Sequence, residues 1–449
     1  MVSGNLISES STTLVPPGRP LTPEARARAS WRAENTRAAN PFRPNAAYLT
    51  VVARIISRNL LRLLVIGALT AISTALVTGI GVLAPRMRAA IDLAIESGVN
   101  PMALAFMSGT ADGIERLAVV FPTLFSGVVA LVVYMTITRL VESERTQIGC
   151  MKSLGYSRHQ IVNSYLPFTA IGCIVGGLLG LVLGYFFVGP VIYATIEDYF
   201  GLPDGDPVTP WVGIFTALAL VGIMMLVTFL AANATARTKP TLLFVRKPPP
   251  AGRKLFLERF PALWSRIAYR HKSTIRNIVR YRIRFVLTVF SMLLSTLIVY
   301  AGLALRTALS ESNPELNDTI GPISLLLVVA AIIINTLVVY NITNINIEER
   351  IREIATLKVL GYRPLEVAGY VFREIAWLAA IGIILGVPAG YFFMSVIFDF
   401  LEFGGVEFIA NWVWIATIGL SIIALLIADA LLYRRLVNVD MNTSLKTIE

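Results

Sequence analysis

Charge is scarce in this sequence. Only 15% of its 449 residues are Asp, Glu, Lys or Arg, against roughly 25% in an ordinary soluble domain, which excludes a water-facing surface over most of the chain. Cysteine and histidine are scarcer still. With Cys150 and Cys173, His159 and His271, and no Cys-x-x-Cys or His-Glu-x-x-His spacing, neither a disulfide framework nor a metal centre is expected. A Gly-x-x-x-x-Gly-Lys-Ser/Thr loop, which would wrap phosphates in backbone N–H groups, is missing too, so the chain has no ATP site of its own and is not expected to be an enzyme. Residues 1–46 are rich in Ser, Pro, Ala and Arg and lack the apolar stretch of a signal peptide. They read as a partly disordered tail.

Apolar residues fill the space that charge leaves. They make up 55% of the chain, and the mean hydropathy is +0.69. A helix needs about 20 mostly apolar residues to cross a hydrocarbon core ~30 Å thick. Eight such runs lie near 63–84, 117–138, 168–189, 211–233, 285–305, 320–343, 375–397 and 412–433. The fold expected is therefore an all-α integral membrane protein with eight transmembrane helices. Asp429 stands about one turn from the end of the last run and reads as a carboxylate reaching the interface, while Asn335 and Cys173 read as packing residues.

Lys and Arg are distributed unevenly. The connection from Arg237 to Arg284 holds 14 of them against one acid, Glu258, whereas 190–210 and 398–411 contain acids and no Lys or Arg. By the positive-inside rule the first is cytoplasmic and the other two are outside, so both termini are cytoplasmic in a multi-pass plasma-membrane protein. The net charge of +11 reflects this sidedness. Its basic residues flank membrane-spanning ends, which argues against a nucleic-acid partner and for the lipid bilayer.

The chain repeats itself. A shift of 206 places superimposes Tyr134 on Tyr340, Glu142 on Glu348, Lys152 on Lys358 and Leu154-Gly155-Tyr156 on Leu360-Gly361-Tyr362. The same shift carries Gly176 onto Gly382, Gly180 onto Gly386 and Gly184-Tyr185-Phe186-Phe187 onto Gly390-Tyr391-Phe392-Phe393. Upstream, Arg58-Asn59 and Arg62 match Arg276-Asn277 and Arg280 at a shift of 218, so the first copy is 12 residues longer between its first two spans. Four spans per copy is an even number. The two copies must then be parallel four-helix repeats, related by an axis along the membrane normal. The expected organisation is a tail at 1–46, a first unit at 47–247, a basic linker at 248–272 and a second unit at 273–449.

Between the second and third spans of each copy lies a charged stretch. In the second, Ile347, Ile351, Ile354 and Leu357 form one helical stripe, with Glu349, Arg350, Arg352, Glu353 and Lys358 on the remaining surface, and Gly361 ends the helix. A plain interfacial connector is the simpler alternative. It gives no reason for Lys and Leu-Gly-Tyr to recur at matched positions in two diverged copies, so the stretch reads as a protein-docking helix. Further on, Gly172, Gly176, Gly180 and Gly184, and again Gly382, Gly386 and Gly390, recur every fourth residue and lay a smooth face along the third span. Such faces let backbones approach where apolar side chains gain little from one another in lipid, so these are helix-packing residues.

Glu349-Arg350-x-Arg352-Glu353-Ile354-x-x-x-Lys358-x-Leu360-Gly361-Tyr362 closely resembles the motif of FtsX-like permeases, the membrane subunits of MacB-type (type VII) ABC transporters. The Gly-rich third spans, the Arg-Asn-x-x-Arg segments and the exit Asp440-Met441-Asn442-Thr443-Ser444-Leu445-Lys446 are similar to that family as well, over essentially residues 50–449. The resemblance implies coupling helices received by two cytoplasmic ABC ATPase subunits, which would bring ATP and Mg. The implied ATPase-coupling residues are Glu144, Arg145, Lys152, Leu154, Gly155 and Tyr156 in the first copy, and Glu349, Arg350, Arg352, Glu353, Lys358, Leu360, Gly361 and Tyr362 in the second. Copy one departs from the pattern, having Gln147 where copy two has Glu353.

Two whole units in one chain imply a fused dimer that needs no second permease chain. External segments are short, the longest near 85–116 and 190–210, and "MRAAIDLAIESGVNPMALAFM" reads as a connector or as a short surface helix over a lateral entrance. The expected function is ATP-driven export or extraction of a hydrophobic or amphipathic substrate. The alternative is an ATP-driven transmission scaffold that moves an external partner without passing a solute, and the docking helices and parallel repeats disfavour a secondary carrier.

Overall fold

The computed structural model describes residues 46–96, 100–200, 211–238, 243–244, 272, 282–312, 314–401 and 405–438. The expected tail at 1–46 and linker at 248–272 lie, apart from Ala46 and Lys272, outside the described residues. The chain divides at Thr50 into two units, and of the first only Ala46–Thr50 is described, as the start of a helix.

The described residues form thirteen α-helices and no strand. They are α1 (Ala46–Arg58), α2 (Leu60–Glu96), α3 (Pro101–Ser143), α4 (Arg145–Ser153), α5 (Arg158–Asn163), α6 (Leu166–Leu183), α7 (Gly189–Phe200), α8 (Trp211–Ala236), α9 (Arg282–Ser312), α10 (Pro314–Glu349), α11 (Ile351–Val359), α12 (Pro364–Leu401) and α13 (Trp412–Val437). A π turn at Gly184–Val188 joins α6 to α7. Eight stretches are long and apolar enough to cross a membrane, and each expected run falls on one of them.

Several helices outlast the bilayer. At 1.5 Å per residue, the 37 residues of α2 and the 43 of α3 extend about 55 and 65 Å, where ~30 Å of hydrocarbon must be crossed. The stretch 87–107 is accordingly no separate surface helix. It is the far end of α2 and the beginning of α3, which Asn100 starts by accepting the Met102 backbone N–H at 3.0 Å, with Pro101 in the first helical position. Arg88 ties the two helices together there, bonding to Asp112 at 2.8 Å and also to Glu115.

Small residues set the packing. α2 lies against α3, α6 and α8, and α9 against α10, α12 and α13. Several buried hydroxyls along these inner helices return their protons to their own backbone, as Thr70 does to the Ile66 carbonyl at 2.8 Å and Ser291 to that of Leu287 at 2.9 Å. The halves meet where α10 packs on α2 and α7 and where α9 packs on α3. Asn341 donates to the Thr136 hydroxyl across this seam at 3.1 Å.

Candidate functional site

The two charged stretches fold alike. α4 ends at Ser153 and α11 at Val359, and each is closed by a glycine in the left-handed region, Gly155 at φ 90° and Gly361 at φ 86°. In the first, the Tyr156 N–H reaches the Met151 carbonyl at 3.1 Å and the Gly155 N–H that of Lys152 at 3.1 Å. In the second, Tyr362 bonds to Leu357 at 3.1 Å and Gly361 to Lys358 at 3.0 Å. Both are Schellman closures, which only glycine enters without steric cost. A new helix starts at once: Ser157 and Gln160 make a capping box on α5, and the Arg363 N–H is taken by Glu366 at 2.9 Å before Pro364 opens α12.

Each turn presents an apolar tip. Leu154 is 77% exposed and Leu360 68%, with Val359, Tyr362 and Leu365 also open and Glu353 exposed beside them. Beneath the tips, Ile148, Ile347 and Ile354 are buried in the bundle. The apolar stripe thus faces inward as its periodicity requires.

The charges do not all lie on the outer surface. Arg350, expected there, is buried and pairs with Glu374 of α12, with its guanidinium 5.9 Å from the Tyr370 ring. The reason is a break in the helix: Arg350 is the cap between α10 and α11, and the kink swings its side chain toward α12. Glu349 bonds to Arg139 of α3 at 2.8 Å, linking the halves. Glu348 pairs with Arg62 of α2 and with Arg435 of α13 at 2.9 Å, and Arg435 also reaches Asn344. The Arg352 side chain lies outside the described residues.

Both lysines turn back into the fold. Lys152 Nζ donates to the carbonyls of Ala236 at 2.6 Å and Thr238 at 2.5 Å, and Lys358 Nζ to that of Val437 at 2.6 Å. Burial lowers the pKa of each, helped at Lys152 by Arg158. Glu144 accepts the Tyr165 hydroxyl at 3.4 Å. Burial raises its pKa, and the neighbouring Arg58, the Tyr165 bond and Arg62 only partly offset that. Arg145 is half-buried.

Sequence reasoning passed over Arg139, Glu374 and Arg435, and noted Arg62 and Glu348 only as matched repeat positions. All sit at or just inside the ends of apolar runs, where a charge is easily read as solvent-facing. A useful signal was their clustering at one end of five different spans.

The glycine faces pack each third span on the first span of the same half. A Cβ at Gly180 would lie 2.5 Å from the Ala71 carbonyl, and one at Gly184 2.5 Å from that of Ala75. Gly172 faces Leu63 and Ile66, and Gly176 backs directly onto Gly67. In the second half a Cβ at Gly386 would meet Thr296 at 2.8 Å and one at Gly390 would meet Tyr300 at 2.8 Å, while Gly382 faces Met292. Except at Gly172, where the nearest atoms are side-chain ends at 3.2 Å and beyond, no side chain larger than hydrogen fits at these glycines without a shift of the facing helix.

Among the described residues no three His, Cys, Asp or Glu side chains gather as a metal site. Cys173 is buried, with its Sγ 3.8 Å from the Thr70 hydroxyl. Asn335 is buried as a packing residue would be, with its Nδ2 lacking a hydrogen-bond partner. Asp429 is half-buried with Oδ1 unbonded, because it falls on the face of α13 that also buries Leu425, Ala428 and Leu432.

These features define an all-α membrane protein that packs its spans through glycine faces and holds two matched capped turns at one end. Residues 119–240 and 325–440 match the FtsX-like permease C-terminal family. Together the two segments cover more than half of the chain, which belongs to the FtsX-like permease family. No curated protein and no solved structure matches it.

Proposed function

We propose that this protein is the permease subunit of a MacB-type ABC transporter, built as two parallel four-span units in one chain. α4 and α11 are its coupling helices, facing the cytoplasm together with both termini and engaged by two separate ATPase subunits that bring ATP and Mg. The observation that carries this reading is the pair of apolar tips. Leu154 and Leu360 stand exposed on matched glycine closures, within the segments that define the family. An exposed leucine at the apex of a rigid turn is a docking anchor when a pocket covers it. Glu353 and Tyr362 border the second tip, Glu144, Glu349 and Arg350 hold the two elements to the bundle from beneath, and Arg145 lies half-buried beside Glu144.

The substrate class is a hydrophobic or amphipathic molecule entering sideways between the halves. Purification of the tagged chain with its associated proteins tests the docking. Wild type is expected to recover an ABC ATPase, and Leu154→Asp with Leu360→Asp to lose it while remaining folded. Recovery unaffected by both substitutions refutes the assignment of the tips.

One observation favours a second reading, in which the protein moves an external partner and passes no solute. α2 and α3 overrun the membrane by many residues and are braced there by Arg88, as a lever would be. Vesicles containing the chain and its ATPase separate the two readings: ATP-driven movement of an amphipathic probe supports transport, and hydrolysis without movement supports the lever.

A further inference from the structure

Lys152 and Lys358 are the matched cations of the two short helices, and neither points away from the protein. Lys152 Nζ closes on the last carbonyl of α8, at Ala236, and on Thr238 just beyond it. Lys358 Nζ closes on the last carbonyl of α13, at Val437. Both acceptors are the exposed negative end of a fourth span, where the carbonyls of the final turn have no partner within the helix and the macrodipole favours a cation. Two halves diverged in most of their sequence have kept the same bond, from the same position of the short helix to the same end of the same span. A lysine kept only for an electrostatic contact with a partner protein has no need to find a helix end in its own chain.

The topology shows what such a bond does. Each short helix joins its second span by continuous chain through a single cap residue, Glu144 or Arg350, and its third span through the glycine closure. It reaches its fourth span only through space, with the lysine as one point of attachment. In the first half a second tie lies beside it, Arg158 bonding to Asn233 of α8 at 2.5 Å.

We propose that Lys152 and Lys358 are positioning residues that strap the docking helices to the fourth and eighth spans, so that displacement of a short helix is passed to three spans of its half rather than two. The strap deepens the coupling-helix reading above and rests on it. ATPase contact belongs to the exposed tips, and transmission into α8 and α13 belongs to the lysines. The ammonium–carbonyl geometry also predicts that arginine, another cation with N–H donors, serves in place of lysine, and that methionine, of similar length and without charge, does not.

Amide hydrogen exchange in lipid nanodiscs tests this in two stages. With the chain alone, Lys152→Met combined with Lys358→Met is expected to speed exchange at 233–238 and 433–438 by about two- to fivefold, the loss of a helix-end cation, and the Arg pair is expected to leave it at the wild-type rate. Unchanged exchange in the Met pair overturns the strap. With the ATPase bound, the Met pair is expected still to recover the ATPase, while the change that Mg-ATP induces in exchange at those two segments shrinks by about 2- to 30-fold and returns in the Arg pair. Loss of ATPase recovery in the Met pair places the lysines at the motor interface and overturns the proposal. A wild-type chain that recovers no ATPase sinks the coupling-helix reading and the transmission step with it, whatever exchange in the isolated chain shows.

Discussion

Replacing Arg350 by Met offers a sharp test of how the motif is built. The Arg350 and Glu374 side chains are 5% and 7% exposed, so removing the guanidinium strips its charge partner from a carboxylate that stays buried. Breaking such a pair costs about 3–5 kcal/mol. Even the lower figure reduces the folded-to-unfolded ratio by about two orders of magnitude. Exchanging both partners, Arg350→Met with Glu374→Leu, removes the charge together with its counter-charge and is expected to recover most of the loss, since apolar replacements of buried pairs are often neutral or better. Equilibrium unfolding in mixed micelles measures the four corners of the cycle. A single-variant cost under about 1 kcal/mol, or a double variant no better than Arg350→Met, would refute the buried-pair account. Recovery of the ATPase adds an independent readout. The restabilised double variant is expected to bind the motor as wild type does, and failure to do so would place Arg350 at the interface after all.

Three further outcomes can be checked. Gly180→Leu and Gly386→Leu are each expected to lose about 1–3 kcal/mol or more by prising third spans from first spans, whereas Gly419→Ala, inside α13 and with an added methyl that meets nothing within 4 Å, should cost nothing and stabilise by up to about 1 kcal/mol. Gly155→Ala and Gly361→Ala are expected to cost about 1–2 kcal/mol each by forcing a side chain into the left-handed region, seen as reduced stability and faster exchange at the closures. Glu144→Gln is expected to stabilise at pH 8, because a carboxyl whose folded pKa is raised carries its penalty above that pKa. The advantage over wild type should shrink as pH falls through the raised value and vanish below about pH 4, where the group is protonated folded or unfolded.

Much of the architecture was legible from apolar run length alone. Eight runs give eight long helices because hydrocarbon leaves a backbone no partner but itself. The glycine closures were legible at Gly361, where a helical stripe stops at Leu-Gly-Tyr, and the structure shows the matching closure at Gly155. The fates of the charges were not. Periodicity assigns Arg350 to the outer surface only if the helix runs on unbroken, and the kink between Glu349 and Ile351 redirects it to Glu374. The partners of Glu348, at Arg62 and Arg435, are 286 and 87 residues away, and no local pattern reports a pairing at such separations. The helix overhang escaped as well, because the hydropathy signal stops at the membrane while the helices of α2 and α3 do not.

The wide turn at Gly184–Val188 bears on how alike the halves are. A π turn accommodates one additional residue, rotating everything beyond it by about 100° relative to an unbroken helix. α12 passes through Gly390-Tyr391-Phe392-Phe393 without one, so beyond the matched glycines, which lie on Thr78 in one case and on the Tyr300 ring in the other, the same letters follow different helical paths. Fusing two copies of either half would build a molecule with twin rims. The natural chain has a left and a right there.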